Sequence, residues 1–184
     1  VGSIIDKQVT ISFDSSSSEL VDADESMVRF CQYMLAYSAG RFDDSYKYMN
    51  VVYELKPTHL WLYAYELGIV ELQKGNVEKA EMFAEVLHNS NIELTDAYVL
   101  YSSIERMTGN SKKAIEWADK GIKALPDDAE LYRMKAMALA AKGDYEEAKK
   151  VVEKGLENQE YSYIYMVSLV IENELGNKDR VKEI

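Results

Sequence analysis

The sequence predicts an all-α fold built from repeated pairs of antiparallel helices. Five glycines in short turns are spaced 35, 34, 34 and 33 residues apart, and they are Gly40, Gly75, Gly109, Gly143 and Gly176. A second series recurs every 34 residues at Ala80, Ala114 and Ala148. A fixed period of this size is typical of stacked repeat units. Only two prolines occur in 184 residues, which suits a chain that is mostly helix.

The first 24 residues differ from the rest of the chain. The segment 8–13 alternates polar and apolar residues, which is the period of a β-strand, and a flexible run of four serines follows at 15–18. Because one short strand has no evident partner here, we expect 1–24 to be a leader that is flexible or loosely docked. The alternative is a β-segment that pairs with another chain or with a missing domain.

The remaining residues, 25–184, are predicted to form helix pairs. Glycine ends the first helix of each pair, and Asn or Asp is expected to cap the start of the second. The first pair begins near Asp24 or Ser26 and ends before Pro57. The later helices are expected at about 60–74, 77–88, 95–107, 111–124, 129–142 and 145–158, and a last pair opens near Ser162. The repeats therefore span about 26–59, 61–94, 95–128, 129–161 and a partial 162–184.

On a 34-residue frame, these units resemble the tetratricopeptide repeat. The fourth unit carries the large, small and aromatic residues of that frame at Tyr132, Ala136, Leu139, Gly143, Tyr145 and Ala148. The third matches at Tyr98, Ser102, Gly109, Ala114, Ala118, Gly121 and Pro126, and the second at Leu67, Gly68, Gly75, Ala80 and Ala84. In the first unit, the helix before Gly40 fits one residue out of register, and in the fifth Val181 replaces the small residue. The resemblance implies a right-handed superhelical solenoid.

Small residues at matching frame positions have a packing role. Two helices approach closely only where their side chains are small, so Gly68 is expected to face Ala80 within its hairpin. The equivalent pairs are Ser102 with Ala114 and Ala136 with Ala148.

The resemblance also implies a concave groove lined by the first helix of each pair. Carried onto this chain, the groove residues are Leu62, Tyr65, Ile69, Leu72, Val99, Arg106, Met107, Arg133, Met137, Tyr163 and Met166. The frame adds Gln73, Asp96, Ser103, Glu130, Ala140, Ala141, Val170, Asn173 and Glu174, and in the first unit Met34 and Tyr37. Some members hold an acidic C-terminal peptide with a Lys/Asn clamp, and no matching set of Lys and Asn occurs at these positions.

This groove is mostly apolar and aromatic, which suits an extended or helical peptide. Its two arginines could pair with a carboxylate of the ligand, or with local acids such as Glu105 and Glu130. The apolar residues could instead be covered by tight curvature of the solenoid or by the leader.

The sequence contains few residues or motifs that are typical of enzymes. Both histidines, His59 and His88, fall at helix ends or in loops, and Cys31 lies on an apolar helix face where a buried structural thiol is expected. No phosphate-binding loop, dinucleotide fingerprint or two-cysteine zinc motif occurs, so we predict no enzyme activity, no cofactor, no catalytic residue and no metal site. The formal net charge of −11 repels nucleic acids and anionic membranes.

The predicted function is a protein–protein interaction scaffold that binds a peptide or helix through an apolar anchor. Two alternatives stay open: a regulatory or targeting domain of a larger enzyme or of a secretion or assembly machine, and a repeat protein that associates with itself. Neither nucleic acid nor membrane insertion is expected. The single cysteine excludes an internal disulfide, which slightly favours the cytoplasm and leaves export open.

Overall fold

The computed structural model describes residues 3–5, 8–12, 18–22, 25–56, 60–90, 95–158 and 162–184. Within these ranges a small sheet precedes a stack of helices. The strands are β1 (Ser3–Ile5), β2 (Gln8–Ser12) and β3 (Ser18–Asp22). The helices are α1 (Glu25–Ser38), α2 (Phe42–Glu54), α3 (Trp61–Gln73), α4 (Val77–His88), α5 (Thr95–Met107), α6 (Ser111–Ala124), α7 (Ala129–Lys142), α8 (Tyr145–Asn158), α9 (Ser162–Glu174) and α10 (Lys178–Glu183).

The helices of the described ranges form a solenoid of five hairpins. Each odd-numbered helix packs against the even-numbered helix that follows it, from α1 with α2 to α9 with α10. Successive hairpins stack because α3, α5, α7 and α9 contact one another in series, while each even-numbered helix from α2 to α8 packs on the next hairpin. The predicted helical solenoid is thus confirmed, and the predicted helix bounds agree with the observed ones to within about two residues.

Strand β2 lies in the middle of an antiparallel sheet of order β1-β2-β3. Val9 is opposite Ile4 on one side and Val21 on the other. The expectation that this segment has no partner within the leader was therefore wrong, because two further strands pair with it. Whether the leader docks on the helices stays a prediction.

The five turn glycines adopt the left-handed conformation that was expected. Their φ angles lie between 71° and 89°, a region that side chains with a Cβ rarely enter. At each turn the next amide donates to a carbonyl five residues back, as from Asn76 N to Glu71 O at 2.9 Å and from Asn110 N to Glu105 O at 2.7 Å. This hydrogen bond satisfies a carbonyl that the end of the helix would otherwise leave unpaired.

The asparagines after these glycines do not cap the next helix with their side chains, contrary to expectation. Instead, Asn76 Nδ2 donates to Glu71 Oε2 at 2.6 Å, and Asn177 Nδ2 donates to Glu172 Oε2 at 2.7 Å. Both glutamates are buried, and Lys149 Nζ lies 2.9 Å from Glu172 Oε1. The amide therefore satisfies a buried carboxylate in the preceding helix, which is the more costly group to leave unpaired. A side-chain cap does form before α7, because Asp128 Oδ1 accepts from the amide of Glu130 at 2.9 Å.

Because Glu172 is a buried carboxylate, we expect the protein to lose stability in acid. Burial raises the pKa of the Glu172 carboxyl, but hydrogen bonds from Asn177 and Lys149 outweigh burial and hold the pKa below its ordinary value. Because this carboxyl has a lower pKa in the folded protein than in the unfolded chain, its charge stabilises the fold. The contribution is complete above the unfolded pKa of about 4.3 and is lost as the pH falls through the folded pKa. We expect E172Q to lose about 1–3 kcal/mol of unfolding free energy at pH 7 and little below pH ~3.

Urea denaturation followed by circular dichroism between neutral and acid pH tests this expectation. The exposed Glu174→Gln is the matched control and should follow the wild type at every pH. An E172Q variant that differs from the wild type equally at neutral and acid pH would show that the carboxylate charge is not what stabilises this turn.

Small residues pack as expected in one hairpin and differently in another. Ser102 Oγ donates to the carbonyl of Ala114 at 3.0 Å, and both residues are fully buried. A Cβ added at Gly68, however, would lie 2.4 Å from Leu100 Cδ2. The space beside Gly68 is therefore filled by a leucine of the next hairpin and not by Ala80 as expected, so this glycine sets the distance between repeats.

Cys31 is exposed, which corrects the expectation of a buried thiol. It lies on α1 between two other exposed residues, Val28 and Leu35, at helical spacings of three and four. The apolar pattern that predicted burial is real, but among the described residues no hairpin stacks on this outer face of α1.

Candidate functional site

The predicted groove residues lie on α3, α5, α7 and α9, the helices that contact one another in series. Most are at least partly accessible: Leu62, Tyr65, Ile69, Arg106, Arg133 and Met137 are half-buried, and Met107, Tyr163 and Met166 are exposed. Leu72 and Val99 are only 4% and 2% exposed. Val99 packs against Leu131 and Met134, and Leu72 belongs to another buried apolar cluster. The predicted contact residues Leu72 and Val99 therefore belong to the core of the stack.

One cavity of the groove has four tyrosines among its nine lining residues. It measures about 340 Å³ and includes Tyr33 and Tyr37 of α1, Tyr65 and Ile69 of α3, and Tyr163 of α9. A residue of the last hairpin thus borders the same space as residues of the first. The curvature of the solenoid therefore brings the two ends of the groove close together, which encloses a ligand more than a flat helical face would.

A second cavity, of about 380 Å³, is almost wholly apolar. It lies between α7 and α9 and is lined by Arg133, Met137, Ala140, Tyr163, Met166, Val167, Val170 and Ile171. Both cavities are at the lower end of the size range of small-ligand sites. Each is large enough for one or two apolar side chains, and Tyr163 borders both.

Carboxylates gather around Tyr65 in the middle of the groove. Burial raises the pKa of the Tyr65 hydroxyl, and the charges of Asp96, Glu130 and Glu66 raise it further. Asp96 lies at the start of α5 and is exposed to water. Partial desolvation, together with the charges of Glu66, Asp128 and Glu130, raises the pKa of its carboxyl to about 6. Arg133 partly offsets these charges at Tyr65, but the acids outnumber it.

The two groove arginines differ in their pairing. Arg133 donates from Nε to Glu130 Oε2 at 2.6 Å and from Nη2 to Glu130 Oε1. The interpretation that Glu130 neutralises this arginine is confirmed. Glu105, in contrast, lies 3.8 Å from Lys113 Nζ and forms no pair with Arg106. The same interpretation is wrong for Arg106, because adjacent residues of a helix point in different directions.

Sequence reasoning missed Tyr33 and Glu66 at the first cavity. The Tyr33 hydroxyl donates to Glu66 Oε2, which links α1 to α3 across the repeat boundary. Tyr33 and Tyr37 are four residues apart and share a helix face, and this spacing could have identified the pair. The uncertain frame of the first unit obscured it, although the two residues that were assigned there, Met34 and Tyr37, do line the cavity.

His88, a residue type common in enzyme sites, lines neither of the two cavities. The His88 ring packs edge-on against Tyr101 and Trp117, whose own rings stack with centroids 4.1 Å apart. His59 falls outside the described residues. Across the described part of the chain, no group of three or more His, Cys, Asp or Glu side chains could hold a metal ion. Nor does any helix described there combine the length and apolarity needed to cross a membrane.

Comparison with known proteins supports the repeat assignment. Residues 129–161 match the family model of the tetratricopeptide repeat. No curated protein matches the chain significantly.

Solved structures match most of the chain in three dimensions. A tetratricopeptide repeat protein from Parabacteroides merdae ATCC 43184 aligns with a TM-score of 0.75 and 19% identity over 86% of this chain. The alignment covers only 62% of that longer structure. A thermophilic tetratricopeptide repeat protein of Thermus thermophilus aligns with a TM-score of 0.73 and 17% identity, covering 85% of this chain and 86% of that one.

The chain also resembles YrrB, a tetratricopeptide repeat protein with an unusual peptide-binding site. That alignment has a TM-score of 0.51 and 16% identity, and it covers 86% of this chain and 82% of the other. At these identities the three likenesses show a common fold. Residues 129–161 are therefore a tetratricopeptide repeat, and the chain as a whole has the fold of a tetratricopeptide repeat protein.

Proposed function

We propose that this chain is a non-enzymatic interaction scaffold whose groove holds an apolar peptide segment or helix of a partner protein. The observation that carries the proposal is the pair of adjoining cavities, one lined by tyrosines and one by aliphatic and methionine side chains. Exposed apolar residues that cluster on one face of a folded chain mark protein–protein interaction sites or ligand-binding grooves. The peptide-binding site of YrrB is a precedent for this use of the fold.

The composition of the groove favours a peptide over a small molecule. Tyr163 and Met166 are 60% and 62% exposed, so they present apolar area that water leaves when a ligand covers it. Tyrosine and methionine are enriched at protein interfaces, since the first offers a rigid ring with a hydroxyl and the second adapts its shape. A preformed groove also keeps the entropic cost of ordering mainly on the ligand.

Placing charge in the groove should abolish binding. Tyr65→Glu combined with Met137→Glu puts a carboxylate beside each cavity, where burying it under an apolar ligand is costly. We expect the double variant to capture at least about tenfold less of every protein that the wild type captures from native lysate, measured by quantitative mass spectrometry.

Met82→Glu is the matched control. Met82 is 37% exposed on α4, an even-numbered helix, so the same charge is added away from the groove and capture should be unchanged. Met166→Glu supplies a second groove variant at a side chain exposed enough to leave folding intact. Capture that is the same for folded M166E, the double variant and M82E would refute the proposal.

A further inference from the structure

The cavity lined by Tyr33, Tyr37, Tyr65 and Tyr163, which we call the tyrosine cavity, contains one acid and no base. Its acid is Glu66, and none of its nine described lining residues is Lys, Arg or His. Tyr37 and Tyr163 are 42% and 60% exposed, and Tyr65 and Glu66 are half-buried. A ligand that enters the cavity therefore meets accessible tyrosines and a carboxylate.

Glu66 is unusual among the described glutamates that are not exposed, because no base of the described chain pairs with it. The Tyr33 hydroxyl donates to its Oε2 and is its one polar partner in that part of the chain. The other buried or half-buried glutamates of the described ranges each have a cationic partner, and these pairs are Glu71 with Lys74, Glu105 with Lys113, Glu130 with Arg133 and Glu172 with Lys149. Carboxylates with restricted access to water are normally paired, so Glu66 is available to a cation from a ligand.

The charges around the two cavities favour a cation at the tyrosine cavity. Burial raises the pKa of the Tyr65 hydroxyl there, and the charges of Asp96, Glu130 and Glu66 raise it further, while only that of Arg133 lowers it. Arg133 itself lines the other cavity, whose described lining residues include no acid. A cationic group of a ligand is therefore attracted more strongly to the tyrosine cavity than to the other one.

We propose that the tyrosine cavity binds the ammonium group of a lysine side chain of the partner, beside an apolar residue that fills the other cavity. This inference rests on the proposed function, because the same groove holds the partner segment. The face of a tyrosine ring attracts a cation electrostatically, and a carboxylate accepts a charge-assisted hydrogen bond from it. Because Tyr163 borders both cavities, side chains of one short segment can occupy them together. The net charge of −11 adds a long-range attraction for a basic partner.

The pairing of Glu66 favours lysine over arginine. Its Oε2 already accepts from Tyr33, whereas the planar guanidinium of arginine binds best to both oxygens of a carboxylate. An ammonium group is a compact charge with three donors. It can therefore use the remaining oxygen of Glu66 and donate to the hydroxyl oxygens of neighbouring tyrosines.

Selection from a displayed library of random peptides on the full chain tests the inference. The probes are peptides of about twelve residues, which span roughly 40 Å when extended. We expect the selected peptides to carry a lysine close to apolar residues. A selected peptide, synthesised with blocked ends so that the lysine is its cation, should lose about tenfold in affinity when norleucine, a neutral side chain of similar length, replaces the lysine.

Glu66→Gln shows whether the lysine meets this carboxylate. The amide oxygen of glutamine can still accept from the Tyr33 hydroxyl, so the link between α1 and α3 is kept. We expect E66Q to bind the lysine peptide about tenfold more weakly than the wild type does and the norleucine peptide equally well. Glu78→Gln, at an exposed site on α4, removes the same charge outside the groove and should keep the preference for lysine.

Tyr37 tests the contribution of the rings at a side chain that is exposed enough to replace without loss of folding. Tyr37→Leu keeps an apolar side chain but removes the ring, so we expect about threefold weaker binding of the lysine peptide. Tyr37→Phe keeps the ring and should keep the affinity. Unchanged binding of the lysine peptide by Y37L would contradict a contact between the cation and this ring.

Failure of this inference and failure of the proposed function have different signatures. Selected peptides without a lysine, or a lysine preference that E66Q keeps, would overturn this inference and leave the proposed function standing. Tighter binding when arginine replaces the lysine would overturn the choice of lysine. Failure to enrich any peptide, or peptide binding that M166E leaves unchanged, would count against both. For a lysine-bearing segment, the loss expected from the double variant comes from Met137→Glu in the apolar cavity and from the missing ring of Tyr65.

Discussion

Truncating Leu100 to alanine is expected to lower the unfolding free energy by about 2–5 kcal/mol. Leu100 is fully buried on α5, and its Cδ2 occupies the space left by the missing Cβ of Gly68 on α3. Its removal leaves a cavity between two hairpins, and both helices are held by other contacts that prevent full collapse into it. Guanidinium denaturation followed by circular dichroism measures the loss. Leu35→Ala, at a site 67% exposed, is the control and should change little.

A double variant at Gly68 and Leu100 tests whether these two residues share the same space. Adding a methyl group at Gly68 forces Leu100 to move, at about 1–3 kcal/mol, while the better helix propensity of alanine returns about 1 kcal/mol. In the double variant, the new methyl group partly fills the cavity that L100A creates. We therefore expect the double variant to be more stable than the sum of the single effects by about 0.5–3 kcal/mol. Strict additivity would mean that the two residues do not share this space.

The second large effect is expected from Gly155→Val on α8. A Cβ at this position would lie 2.6 Å from Ile164 Cδ1 and 2.8 Å from Tyr132 Cβ. The Cβ of Tyr132 is fixed to the backbone of α7 and cannot rotate away, so α8 must shift. We expect a loss of about 2–3 kcal/mol, at the upper end of the usual cost of overpacking, since valine adds two further methyl groups. Thermal unfolding measures it, and the exposed Glu157→Ala serves as the control.

The damage from Gly155→Val should remain local. In a solenoid each repeat contacts only its neighbours, so stability is a sum of repeat and interface contributions. Hydrogen exchange should speed up most in α9, which packs on α8, and least in α3 and α4. Uniformly faster exchange along the chain would show that the hairpins unfold as one cooperative unit.

Most of the helical architecture could be predicted from the sequence, because local residues determine it. Each first helix ends where a glycine takes a left-handed turn, and that signal recurs with little change in period. The sheet at 3–22 could not be predicted in the same way. Its outer strands, β1 and β3, are too short to show alternation, and their pairing with β2 depends on contacts that no local pattern encodes.

The candidate site was only partly predictable, for a related reason. The frame predicted Tyr65, Met137 and Met166 as groove residues, and these side chains do border the two cavities, since helical spacing determines direction. It could not tell accessible residues from buried ones, and Val99 lies in the core because the helices on either side close over it. The difference between Arg106 and Arg133 was within reach of the sequence, because an acid three residues earlier can pair along a helix whereas an adjacent one cannot.

The serial stacking of the hairpins also has a consequence for how such a protein changes over time. Helix packing joins each hairpin to its immediate neighbours, and every hairpin contains the same glycine turn. Duplication or loss of a segment of about 34 residues would therefore insert or remove one complete unit without redesigning the others. Under the proposed function, such an event would lengthen or shorten the partner segment that the groove contacts, so partner choice would diverge by copying whole units as well as by point substitution.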